Sequence, residues 1–268
     1  MARAWIIAKN TLLEIRQRRL AYLVGVLSIL TVASVWVSLS WLERAQQAGE
    51  VDLANRMPRT IITQTIDFWN IAIELIVLYL GVTVLSAEIK SRAIVPTLAR
   101  PVSRHEFLAG KILGVVLVAV ALFAIPLALS LLAAWWFTVD LSLVFWLGLL
   151  QALVAYIATA VIAVALAAVS SPMTAGLIVI FGMPLARDLG AWLTKLDQPL
   201  WATVGFLLYC FAPATSPHEL IHHSFDSSLI DPAYGVTTLV MLENLGFAVL
   251  LFALAAWAFD RREIHADG

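Results

Sequence analysis

A chain of 268 residues that is 62% hydrophobic and only 13% charged does not have the make-up of a soluble domain, which carries about 25% charged residues; its mean hydropathy of +0.91 makes a bilayer its natural solvent. The formal net charge of −1 supplies no field for gathering phosphate backbones, so nucleic acid is set aside as a partner. A single cysteine, Cys210, excludes an internal disulfide, a thiolate metal cluster and a dithiol redox centre.

The chain begins with a basic amphipathic stretch, residues 1–19, in which Trp5, Ala8, Leu12 and Ile15 recur at helical spacing among Lys9, Arg16, Arg18 and Arg19. This pattern fits a helix lying on the membrane surface, and equally a cytoplasmic extension of the first span. Crossing a hydrocarbon core about 30 Å thick takes roughly 20 apolar residues in a helix, because unpaired backbone groups are not tolerated in lipid. Residues 20–42 meet that length without a charge and exceed a signal-peptide core, so they are read as an uncleaved span. Further spans are expected at 66–86, 112–137, 141–169, 173–193 and 236–259. The fifth contains Arg187 and Asp188 near its end. The run 200–212, bounded by Pro199 and Pro213, is too short to cross and is expected to dip in and return, so that residues 194–235 form a re-entrant and amphipathic outer region. The predicted fold is all-α, a single polytopic membrane domain over 1–268 with six transmembrane helices.

Lys and Arg concentrate on cytoplasmic flanks. With the amino terminus inside, twelve of the 17 basic residues fall inside and only Arg44, Arg56, Arg59, Arg187 and Lys195 outside; a seventh crossing would move Arg261 and Arg262 outside. Both termini are therefore expected in the cytoplasm, with the chain in the cell (inner) membrane. Trp36, Trp41, Trp69, Trp135, Trp136, Trp146, Trp192 and Trp201 all fall near the outer face, where indole rings favour the interface.

The inside loop at 87–111 is the most informative segment. It runs from Glu88 through Lys90, Arg92, Leu98, Arg100-Pro-Val-Ser-Arg104 and Phe107-Leu-Ala-Gly-Lys111, punctuated by Pro96 and Pro101. Ser103 with Glu106 three positions on forms a capping-box pattern, which predicts a short helix starting at Arg104. The positive-inside rule explains the charges but not Ile94, Val95, Leu98, Val102, Phe107 and Leu108 among them; apolar side chains on such a loop require a partner surface.

These residues carry a resemblance to the ABC-2 type permease subunits of ATP-binding-cassette transporters. Glu88, the run Leu98-Ala-Arg-Pro-Val-Ser-Arg104 and the closing Gly110-Lys111 are similar to that family's acidic residue, Leu-Leu-x-x-Pro-Val-Ser-Arg and Gly-Lys. The basic amphipathic start, six spans, re-entrant outer region and basic tail Asp260-Arg-Arg-Glu263 extend the likeness over essentially the whole chain. Arg92-Ala93 stands where many relatives have Gly-Thr. The resemblance implies a permease domain whose loop is a coupling helix docked in a groove of a separate ATPase. Two permease chains, identical or related, and two ATPase subunits would form an exporter in membrane lipid. Glu88, Arg92, Arg100, Pro101, Val102, Ser103, Arg104, Phe107 and Lys111 are its candidate coupling residues, with Arg100 to Arg104 and Phe107 in the contact and Glu88 and Lys111 anchoring the ends. No Gly-x-x-x-x-Gly-Lys-Ser/Thr loop occurs, so the chain itself is expected to hold no cofactor and not to hydrolyse ATP; ATP and magnesium would bind the partner.

Three other signals stand apart from this reading. His218-Glu-Leu-Ile-His222-His223 matches the zinc-protease pattern, in which two histidines one turn apart bind metal and the glutamate activates water. Pro217 immediately before His218 and Ser224 at an expected apolar position count against the long supporting helix of such enzymes. A membrane zinc protease, with His218, His222 and His223 as candidate ligands, and a non-transporting scaffold are the alternative functions. Glu74 and Glu243 lie within spans and are candidates for a translocation path, since intramembrane acids face a bundle interior, a cavity or a partner; hydrogen bonding to a neighbouring helix explains them equally well. Gly148, Ala152, Ala155, Thr159 and Ala163 form a small-residue stripe on span four that permits close helix packing.

Overall fold

The computed structural model describes residues 2–17, 20–49, 51–90, 103–196, 198–211 and 233–261. Arg92, Arg100, Pro101, Val102 and the His218, His222 and His223 cluster lie outside them. Among the described residues the structure is helical, without strands, and holds six helices long and apolar enough to cross a membrane. The protein is an all-α polytopic membrane protein.

The elements in order are α1 (Ala2–Gln17), α2 (Leu20–Gln47), α3 (Val51–Lys90), α4 (Arg104–Phe137), α5 (Leu143–Val169), α6 (Pro172–Leu177), a π turn (Ile178–Gly182), α7 (Met183–Leu193), α8 (Pro199–Phe211) and α9 (Ala233–Arg261). Helices α3, α4 and α5 pack on one another and form the centre. Helix α9 lies against α5, α1 against α4, and α2 against α3. The core runs through all of them, with Trp69, Phe107, Phe145, Tyr156 and Phe259 as its largest fully buried side chains.

Small residues set how closely these helices approach. Gly148, Ala152, Ala155, Thr159 and Ala163 are all buried on α5. A methyl group at Gly81 of α3 would stand 2.5 Å from the Ala163 Cβ, closer than atoms can sit, so the α3–α5 crossing depends on the missing side chain. Helix α1 is held in the same way. Ala8 and Thr11 are fully buried, and a Cβ at Gly114 of α4 would lie 2.7 Å from the Thr11 Cβ and 3.3 Å from the Ala8 carbonyl. One face of α1 is therefore committed to α4, while Trp5, Ile6 and Leu13 remain exposed. Thr11 satisfies its hydroxyl within the helix by donating to the Ile7 carbonyl at 2.9 Å.

One expectation changes. The Ser103 capping box is present, with Ser103 Oγ accepting from the Glu106 N–H at 3.2 Å and Glu106 Oε2 accepting from the Ser103 N–H at 3.1 Å. The helix it opens is not short, however: α4 continues unbroken to Phe137, with Gly114 packed against Thr11 and Ala8 of α1. Trp69 is fully buried, whereas Trp36, Trp41, Trp135, Trp136, Trp146, Trp192 and Trp201 keep exposed faces.

Span five is built from α6, the π turn and α7. Ser171 caps its start, accepting from the Thr174 N–H at 3.1 Å, with Pro172 in the first turn. Pro184 explains the widened turn: it has no N–H to offer the Ile180 carbonyl, its ring presses on that carbonyl, and the chain relaxes by enlarging the turn before it. Helix α8 packs back on α7. Its 13 residues span about 20 Å, short of the hydrocarbon thickness.

Candidate functional site

The described end of the loop region is tied to the end of the last span. Arg104, in the first turn of α4, turns its Nη1 onto the final carbonyls of α9, donating to Phe259 O at 3.0 Å and Asp260 O at 2.9 Å. The last carbonyls of a helix lack partners within it and carry its negative dipole end, so a guanidinium there satisfies both needs. His105 Nε2 lies 2.8 Å from Asp260 Oδ2, and Arg261 sits 4.1 Å above the Trp257 ring.

Below this latch the first turns of α4 are buried. Phe107 is 1% exposed and Leu108 fully buried, in the cluster that also contains Phe259. Lys111 is 2% exposed with its Nζ 5.8 Å from the Phe107 ring. Glu88 falls in the last turn of α3. The structure thus bonds Arg104 to α9 and places Phe107 in one cluster with Phe259, with Lys111 beside Phe107 and Ser103 capping the helix that carries them. His105 and Asp260 complete the latch and were not among the sequence candidates; an acid directly after the last apolar run was the signal for them.

The two intramembrane acids are not brought together. Glu243 on α9 pairs with Arg187 of α7 at 3.3 Å, the two side chains being 24% and 19% exposed. Glu74 on α3 lines a cavity of about 180 Å³ whose remaining walls are aliphatic, with Leu75 and Leu78 on its own helix and Val179, Ile180 and Pro184 across from it. Among the described residues no hydrogen bond or ion pair reaches the Glu74 carboxylate. One turn away, the Tyr156 hydroxyl of α5 donates to Asn70 Oδ1. Trp69 Nε1, Asn70 Nδ2 and Gln151 Oε1 are buried near the same α3–α5 contact with no partner among the described residues. Arg187 and Pro184 are the residues that sequence reasoning did not assign to this region. The described residues contain no cluster of three metal-ligating side chains.

A bundle of six membrane-length helices, with the start of α4 bonded to the end of the last span, defines a multi-pass membrane protein. Residues 4–264 match the family described as ABC-2 family transporter protein, and the chain belongs to that family. The family's members are transmembrane permease subunits that work with an ABC ATPase. A search of curated proteins found no match.

Proposed function

We propose that the chain is the permease of an exporter in the cell (inner) membrane, with both termini cytoplasmic, paired with a second permease copy or a related chain and driven by two ATPase subunits. The segment between α3 and α4 docks in a groove of the ATPase, which binds ATP and magnesium. Closure of the ATPase pair displaces the start of α4 and shifts the populations of bundle conformations. The observation that supports this most is the Arg104 latch. Because Arg104 holds the α9 carbonyls, a push on the loop reaches the fourth and ninth helices together. In this scheme residues preceding Ser103 meet the partner, Arg104 and His105 hand the movement to α9, and buried Phe107 and Lys111 carry it into the core.

Purification of the tagged chain from its native membrane, followed by identification of what accompanies it and by metal analysis, tests the reading. The expected result is an equimolar ATPase carrying a phosphate-binding Gly-rich loop, and ATP hydrolysis dependent on the complex. Stoichiometric zinc that disappears on replacing His218, with no ATPase present, would instead establish the protease alternative. Absence of both would indicate a scaffold.

A further inference from the structure

Burying a carboxylate in a bilayer is costly unless a cation, a proton or several donors neutralise it. Glu243 has its cation in Arg187, but Glu74 has none among the described residues. The nearest candidate along α7, Arg187, lies three residues past Pro184 of the cavity wall and is turned to α9. A lone acid on an otherwise aliphatic wall is what a ligand carrying its own positive charge would require.

The chemistry of the cavity narrows that ligand. An inorganic cation needs about six oxygen ligands, and the lining side chains supply one carboxylate. A quaternary ammonium is recognised by aromatic faces, and no aromatic side chain lines the cavity. A protonated amine needs neither, because its N–H groups form charge-assisted hydrogen bonds to a single carboxylate. The volume, about 180 Å³, is near that of an engineered cavity that admits benzene, which suits one ring or a branched alkyl group beside the nitrogen. Ile71, Leu75 and Ile180 at the cavity are 55%, 51% and 43% exposed, so its mouth opens sideways through apolar side chains, where a ligand dissolved in the hydrocarbon arrives without crossing water. The widened turn before Pro184 supplies Val179 and Ile180 to the far wall, and such π insertions recur at functional sites.

We propose that the cleft between α3 and the π turn binds lipophilic amines in their protonated form, with Glu74 as counter-ion. As the cargo site of the machine this rests on the permease reading, but binding itself is measured on the chain alone. Radiolabelled 4-butylbenzylamine is titrated onto the full chain in lipid nanodiscs, alongside 4-butylbenzyl alcohol and the trimethylammonium analogue. The amine is expected to bind saturably and about tenfold or more tightly than either analogue, the scale of a charge-assisted hydrogen bond. Glu74→Gln should remove that preference, and Val179→Trp, which fills the cavity, should abolish binding. Equal binding of amine and alcohol to the unaltered protein would overturn the proposal without reference to any variant. Undiminished amine preference in Glu74→Gln would do the same. Amine selectivity in a chain that recruits no ATPase would refute the permease reading and leave the site; an ATPase-coupled chain blind to amines would refute the site and leave the permease.

Discussion

Replacing Arg104 with methionine is expected to leave the protein inserted and bound to its ATPase while uncoupling ATP hydrolysis from movement of the spans. Methionine keeps an apolar stem at that position but removes both donations to the α9 carbonyls. Hydrogen bonds from a charged donor contribute about 1.5–3 kcal/mol, and since the contact is only partly buried, the pair together stabilises the gripped arrangement by about 2 kcal/mol. That corresponds to a shift of roughly thirtyfold between gripped and released populations. The measurement is the rate at which a maleimide labels a cysteine placed at Val179, in a Cys210→Ser background, with and without ATP in the purified complex. The parent should show an ATP-dependent change in rate and Arg104→Met should show almost none. An ATP response surviving intact would mean that α9 is not driven through this contact.

Removing one half of the Arg187–Glu243 pair should be the most destabilising change among the polar residues of the spans. With both side chains less than a quarter exposed, Glu243→Leu takes from Arg187 the carboxylate that faces it, at a cost of about 3 kcal/mol. Arg187→Leu strands the carboxylate at a similar cost. The double replacement removes both charges and should recover most of the loss, because apolar side chains replace an ion pair at little cost when both charges go together. Unfolding of the purified protein in mixed micelles checks this through the two single variants and the pair. Additive losses in the double variant would show that the two residues act separately.

The spans were legible because the bilayer imposes a length, and an apolar run as long as residues 141–169 far exceeds what a helix of a soluble core needs. The capping box was legible because its two hydrogen bonds are local, from Ser103 to Glu106. What sequence could not show is contact between residues far apart in the chain. Ala8 and Thr11 meet Gly114, and the helical spacing of Ala8 with Trp5, Leu12 and Ile15 names no such partner. Glu74 and Glu243 look alike as acids in apolar runs, and only the position of Arg187, 56 residues from Glu243, separates them. Phe107 shows the same limit from the other side. Its apolar character called for a partner surface, and the buried cluster with Phe259 supplies one within the chain. Arg104 was assigned to the inside by the positive-inside rule, which is silent about the carbonyls it grips. Pro184 was readable in principle as a break in span five, but its position opposite Glu74 required the fold.

Placing a photo-crosslinking amino acid at Arg100 in the full chain, irradiating intact cells and sequencing the product tests most directly whether the segment between α3 and α4 is the handle for an external motor. The expected product is a covalent adduct with an ATPase subunit, lost when the cells lack that subunit, and a cysteine at the same position should resist a membrane-impermeant maleimide added from outside. Rapid labelling from outside, together with adducts to no nucleotide-binding protein, would contradict it.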